Sequence, residues 1–226
     1  MHQSAITKLG GRDHLLVSVT ASGGSIADEA RQAMNAALLL IETSGFSTGH
    51  LVRSRLFARD ANARRIASDL RVEMLKGNLR AASSSYIDPA RLPDNANVCV
   101  DLVAVRASAS EPKIVREYAP VIAPPMFVSV GGMVYVSGCT DVSEGFDAQI
   151  ANVRSYIARN LEAAGAGWPD LVGVNAHVSR TINAGEAWRK LNAVFPDLAG
   201  PLSISPVDGY SAPEKLIEIE ATAKLV

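Results

Sequence analysis

Leu216-Ile-Glu-Ile-Glu-Ala-Thr-Ala223 reads as a closing strand, largely apolar, with Glu218 and Glu220 on one face and Ile217 and Ile219 on the other. Val98-Cys-Val-Asp101 stands 119 residues before Ile217-Glu-Ile-Glu220 in a matching pattern. Glu42-Thr-Ser-Gly45 stands 120 residues before Glu162-Ala-Ala-Gly165, and Leu51-Val52 keeps that offset from Leu171-Val172. A period this long exceeds the roughly 20–50 residues of a solenoid repeat. It matches a small domain, so the chain reads as one fold written twice. The expected division is 1–108 and 109–226, with the first copy degenerate.

Composition sets the class. The 226 residues are 48% apolar and 20% charged, ordinary values for a soluble globular protein with a core in each half. The formal net charge of −1, with no basic run, gives nucleic acid no electrostatic footprint. No stretch reaches the roughly 18–20 apolar residues of a membrane span, so no membrane partner is expected. Met1-His-Gln-Ser-Ala lacks a basic region followed by an apolar core, so no signal peptide is expected. Cys99 and Cys139 make no disulfide framework and read as cytosolic thiols, which points to a cytoplasmic protein. His2, His14, His50 and His177 show no metal-ligand spacing. No metal or organic cofactor is implied.

Each copy reads as strand, helix, strand, helix, strand. In the first, Leu15–Thr20 is a strand, Ser25 caps a helix with Met34, Leu38 and Ile41 on one face, and Gly45 ends it. Leu51–Phe57, a helix over 61–75 and the strand Val98–Val105 follow, then a linker at 106–113. The second copy opens with a hairpin about Gly131-Gly132 and repeats the order through helices over 146–164 and 184–195. Strands with helices on one face make an α+β sandwich. The other face of such a sheet needs a cover, and the natural cover is another copy of itself.

The second half resembles the RidA/YjgF family of enamine/imine deaminases. The resemblance is carried by Ala119-Pro120 with Pro124-Pro125, Gly131-Gly-Met-Val-Tyr-Val-Ser-Gly138, Leu161-Glu-Ala-Ala-Gly165 and Ile217-Glu-Ile-Glu-Ala-Thr-Ala223, four motifs in order over roughly a hundred residues. The first half is similar in layout. The resemblance implies two tandem chorismate-mutase-like sandwiches, each a mixed sheet with two helices on one face. It also implies a homo-oligomer with pseudo-trimeric or stacked-ring packing and sites in the clefts. Four departures bear on activity. The family's substrate-binding Arg has no counterpart at Pro201-Leu-Ser203 or at Ala82-Ser-Ser84, and Pro89-Ala-Arg91 falls several residues too late. The expected Tyr region is Pro124-Pro-Met-Phe127. Cys139 replaces the Gln after Ser-Gly, and Cys99 takes the place of the closing-strand Glu in the first copy.

Glu218 is the leading candidate for catalysis, because a carboxylate among Leu216, Ile217 and Ile219 gains a raised pKa suited to general acid or base work on water. Cys139, at a strand end beside Ser137 and Gly138, is a possible nucleophile, and His177 sits on a neighbouring strand in the implied layout. A Cys139–His177–Glu218 triad is one reading; a small buried thiol with a core histidine is the other. Arg180 is a candidate anion anchor, and Ser203 a hydrogen-bond donor near the missing Arg. The expected activity is a small-molecule hydrolase or deaminase acting on an imine, enamine or related unsaturated substrate. The alternatives are a non-catalytic ligand-binding protein and a chorismatase-like C–O bond hydrolase. The first copy is expected to serve assembly and to wall the cleft.

Overall fold

The computed structural model describes residues 1–196 and 198–225. The first copy contains β1 (His2–Leu9), β2 (Arg12–Thr20), α1 (Ile26–Thr43), β3 (Leu51–Ala58), α2 (Ala61–Met74), β4 (Ala82–Ile87) and β5 (Val98–Val105). The second contains β6 (Ile114–Arg116), β7 (Phe127–Val130), β8 (Met133–Val136), β9 (Cys139–Thr140), α3 (Phe146–Ala163), β10 (Leu171–Ser179), α4 (Ala184–Val194), β11 (Leu202–Val207) and β12 (Ile217–Lys224). The strand orders are β1-β2-β5-β3-β4 and β11-β10-β12-β8-β7-β6, with β9 also paired to β12. In each sheet the strand after the second helix, β4 or β11, joins its neighbour in parallel, and the other pairings are antiparallel. The result is two α+β sandwiches in tandem.

Local sequence explains the elements. Ser25 caps α1 in a capping box with Asp28, which satisfies two otherwise orphaned amides. Ala30, Ala33, Met34, Ala37 and Ile41 then face the sheet. Asp60 and Asn183 cap α2 and α4 with one side-chain acceptor each, for the amides of Ala63 and Glu186. The first copy opens with a hairpin that the sequence pattern did not reveal. It turns at Gly10-Gly11, with φ of 60° and 85°, and Gly131-Gly132 turns the second copy's hairpin with φ of 58° and 75°. Two successive positive φ values are the geometry of a tight hairpin turn, so the duplication extends to its first turn.

The helices cover one face of each sheet, with cores of Leu15, Val17, Leu56, Val100 and Leu102 in the first half and Val134, Val136, Val174, Ile217 and Ile219 in the second. The other faces cover each other. Val52, Ala82 and Val105 pack on Val128, Val130, Met133 and Tyr135, and His14 Nε2 lies 2.7 Å from the Tyr135 hydroxyl. The copy that covers each sheet is therefore the chain's own other half.

At the centre of this interface lies Glu220, with 0% of its surface exposed. Arg55 donates to it through Nε and Nη2 at 2.6–3.0 Å, Arg53 Nη1 approaches to 3.0 Å, and the Ser84 hydroxyl donates a third contact. Burial alone would raise the Glu220 pKa. The Arg53 and Arg55 charges overcome that and hold it below the usual carboxylate range. Arg53 also donates to the carbonyls of Val136 and Ala221. All the donors come from the first copy, and Glu220, Val136 and Ala221 come from the second.

Removing one partner from a buried ion pair strands the other charge in a low-dielectric interior, typically at about 3–5 kcal/mol. Glu220→Gln should therefore lower unfolding stability by about that amount in urea denaturation at pH 7. A loss below about 1 kcal/mol would mean that the two halves are held by apolar contact alone.

Candidate active site in the cleft between the two copies

Strand alternation places Glu218 two residues before Glu220 on the same face of β12, turned toward the first copy. It is 6% exposed. Unlike Glu220, it has no ion pair or hydrogen bond to its carboxyl among the described residues. Burial and the negative charge of Glu220 push its pKa up to about 8. The carboxyl is thus protonated at neutral pH, the state of a general acid. The fully buried Tyr86 hydroxyl from β4 is turned toward it without closing a hydrogen bond.

Gly138 makes room for this side chain. A Cβ at position 138 would fall on the Glu218 carboxyl itself, so any larger residue there would displace that carboxyl. Ser137 and Gly138 also tie the halves together. The Ser83 amide donates to Ser137 Oγ at 3.1 Å, and the Gly138 amide donates to the Ser83 carbonyl at 3.1 Å. A second tie joins Ile87 to Gly209 in an antiparallel bridge. Glu218 lies against the first of these ties, beside Gly138. Arg71 and Lys215 exert positive fields on it, as does Arg64. Arg71 is buried against the carbonyls of Ser54 and Ser84, and burial lowers its pKa to about 10. A water-sized void of about 10 Å³ lies beside Arg71, lined by Ser54, Arg80, Ser83 and Ala123 among others. Two larger surface depressions are open to solvent and lie away from Glu218. One, of about 460 Å³, sits between the two Gly-Gly hairpins, and the other, of about 670 Å³, lies over Val72, Val121 and Ile122.

The triad reading is corrected by the register. Cys139 pairs with Ile219, so its side chain lies on the helix-facing side of the sheet, opposite to Glu218. Its thiol sits in that core within 3.6 Å of Asn160 Nδ2, and burial raises its pKa to about 12. It is the small buried thiol of the alternative reading. His177 pairs with Glu218 across β10 and β12 and shares its face. Its ring stacks on Tyr86 at 4.0 Å, and burial lowers its pKa to about 3, so it is neutral. Its Nδ1 is buried without a partner.

The remaining expected anchors are engaged elsewhere. Arg180 bridges Asp88 and Asp208 at 2.7 and 2.8 Å, which makes it an inter-copy clamp and not a free anion anchor. Ser203 is exposed on the edge strand β11 and donates to Asn175 Oδ1, outside the cleft at Glu218. Arg91 is held by Asp101 at 2.6 Å and lies over the Phe57 ring. Tyr86, Arg64, Arg71 and Lys215 were not singled out from sequence. Their only signal was a polar run, Ala82-Ser-Ser-Ser-Tyr-Ile87, and two arginines on one helix. Among the described residues no group of three or more His, Cys, Asp or Glu is placed to hold a metal. None of the described helices is long and apolar enough to cross a membrane.

No family model matches this sequence, and no curated protein matches it. Solved structures do. A chorismatase superposes over 96% of this chain and 78% of its own, with a TM-score of 0.64 and 14% identity. A YjgF/YER057c/UK114 family member from Mycobacterium tuberculosis covers 50% of this chain and 99% of its own, with a TM-score of 0.44 and 24% identity. A Rid-family protein, YyfA, from Yersinia pestis covers 50% and 99%, with a TM-score of 0.45 and 20% identity. The tandem of two α+β sandwiches as a whole has the fold of a chorismatase.

A carboxyl whose folded pKa is raised from 4.5 to about 8 contributes stability that is full below about pH 4.5 and is lost as pH rises toward 8. Glu218→Gln cannot ionise and keeps the shape. Its melting temperature should exceed that of the wild type at pH 8 and match it at pH 4.5. Equal melting temperatures at both pH values would show that the Glu218 pKa is not raised. Gly138→Ala should displace the carboxyl and reproduce the Glu218→Gln loss of activity described below, with the fold retained by circular dichroism.

Proposed function

We propose that the chain is a small-molecule hydrolase acting on an unsaturated substrate, an imine, an enamine or an enol ether, with Glu218 as its proton donor. The observation that carries this reading is a carboxyl buried at the seam between the two sandwiches without an ion-pair partner, its pKa raised by burial and by the neighbouring Glu220. Protonation is the shared difficult step of the class. A proton moves from Glu218 to the β-carbon of an enamine or enol ether, or to the nitrogen of an imine. The adjoining carbon becomes electrophilic. Glu218, now a carboxylate beside the same centre, accepts a proton from water as the water oxygen bonds to that carbon. Collapse of the adduct passes that proton to the departing amine or alcohol, and the hydroxyl proton of the adduct returns to Glu218 as the carbonyl forms. Atoms balance, with one water consumed, and no metal or organic cofactor takes part in these steps.

Glu220 has a distinct part in this scheme. Its charge is fixed by Arg53 and Arg55, so it stays ionised and keeps its neighbour protonated. Two carboxyls on one strand thus take separate states from their surroundings, the pattern that assigns acid and structural roles in paired-carboxylate sites. Chorismatase-like C–O bond hydrolysis falls within the same class, and the whole-chain likeness in fold favours including it. Burial of Cys139 in the helix-side core counts against a thiolate nucleophile.

The test is turnover of freshly generated imines, enamines and enol ethers by wild type and Glu218→Gln. Loss of general acid catalysis typically costs 10²–10⁴-fold, so the variant should lose at least about 10²-fold in kcat with its fold intact. Turnover unchanged by Glu218→Gln would overturn the assignment. No turnover of any member by the folded wild type would favour a ligand-binding protein on this fold.

A further inference from the structure

We infer that the two Gly-Gly hairpin turns, which meet where the copies join, frame a binding site for a small, multiply charged phosphate, held by Lys8, Arg12, Arg106 and Lys224. The site is separate from the Glu218 cleft and takes no part in the chemistry proposed there.

The first support is charge. The depression between the turns has a volume of about 460 Å³, in the range of small-molecule sites. Four cationic side chains and one carboxylate, Asp13, line it, on a chain whose formal net charge is −1. Their internal pairing is incomplete. Arg12 donates to Glu111 at 2.5 and 3.2 Å. Asp13 is shared by Lys8 at 3.8 Å and Arg106 at 3.6 Å, both beyond hydrogen-bond length. Among the described residues, two carboxylates thus face four cations, a surplus that a dianion would match.

The second support is the backbone of the turns. Gly10, Gly11, Gly131 and Gly132 all line the depression and all have positive φ. Their four amides have no acceptor among the described residues. Successive unpaired amides in a turn make a concavity suited to anions. Charged side chains and amide donors are thus brought to one opening by the two turns together.

The third support is a frame already set. A Cβ at Gly10 would fall 2.7 Å from Met133 Sδ and Cε, and one at Gly131 would fall 2.6 Å from the Arg12 guanidinium carbon. Each turn is therefore seated on a side chain of the other copy. Arg12 also donates to the Arg106 carbonyl at 3.3 Å, which ties two of the four cations together. A site held in this way loses little freedom when a ligand enters. The hairpin itself asks only for its glycines. In the second copy the positions that match Lys8 and Arg12 about the turn are Ser129 and Met133. The positive charge is thus particular to this place and is no requirement of the fold.

Inorganic pyrophosphate and phenyl phosphate are the probes, titrated calorimetrically into the intact chain at pH 7 and constant ionic strength, with methanesulfonate as the singly charged control. Wild type should bind pyrophosphate at least about tenfold more tightly than methanesulfonate. Binding of phenyl phosphate as well would mark a phosphate ester as the class of ligand, and pyrophosphate binding alone a free polyphosphate. The double variant Lys8→Gln/Lys224→Gln removes two exposed charges and should weaken pyrophosphate by at least about tenfold, with the melting temperature of the free protein unchanged. Arg31→Gln/Arg65→Gln removes as many exposed charges from α1 and α2 and should bind as the wild type does. A ligand that binds only the folded state stabilises it, so pyrophosphate should raise the melting temperature of the wild type and not of the lysine variant. Glu218→Gln should retain the binding, which separates this site from the cleft. The proposal is overturned by pyrophosphate that does not bind, that binds the wild type and the lysine variant equally, or that is weakened as much by the arginine variant or by Glu218→Gln.

Discussion

The ion cluster of Glu220 with Arg53, Arg55 and Ser84 is the constraint on which the rest of the molecule depends. A carboxylate with no exposed surface is tolerable only when its charge is matched and its lone pairs are filled. Both conditions are met across the seam, with the donors from one copy and the acceptor from the other. Buried pairs of this kind are weak sources of net stability and strong sources of registry, because any sliding of the sheets strands a charge. The surrounding contacts of Val52, Ala82, Val128 and Met133 are apolar and forgiving by comparison. The cluster therefore sets where the two sheets meet.

That registry decides the state of the neighbouring acid. Glu218 is carried two residues along the same strand into a part of the seam where none of the described residues pairs with it. It receives burial and the repulsion of a fixed anion, and the nearby Arg71 and Lys215 charges offset these only in part. The same tandem geometry brings Tyr86 and Arg71 of the first copy to its side. The first copy has Cys99 and Asp101 where its sister has Glu218 and Glu220.

Much of this was legible in the sequence, and the exceptions have physical causes. The closing strand, the Gly131-Gly132 hairpin, the four helices and the shared face of Glu218 and Glu220 follow from periodicity and turn chemistry. β4 and β11 did not stand out, because an edge strand beside a helix end need not be apolar, and Ala82-Ser-Ser-Ser-Tyr-Ile87 reads as a polar loop. The strand β1 is exposed along almost its whole length and carries no burial pattern to read. The face taken by Cys139 turned on a two-residue strand whose register no sequence rule supplies. Arg64 and Arg71 belong to the site only through the packing of one copy on the other, a tertiary fact without a local signature.

The central claim is that Glu218 holds a proton at neutral pH beside an ionised Glu220. The direct measurement is a carbon-detected NMR titration of the side-chain carboxyls in protein labelled at glutamate, assigned with Glu218→Gln and recorded from pH 4 to 10. The account predicts one resonance, absent from the variant, that titrates near pH 8, and a Glu220 resonance that stays at its ionised position throughout. A Glu218 resonance titrating between pH 4 and 5 would contradict it, because the carboxyl would then be a solvated anion and not an acid poised in a cleft.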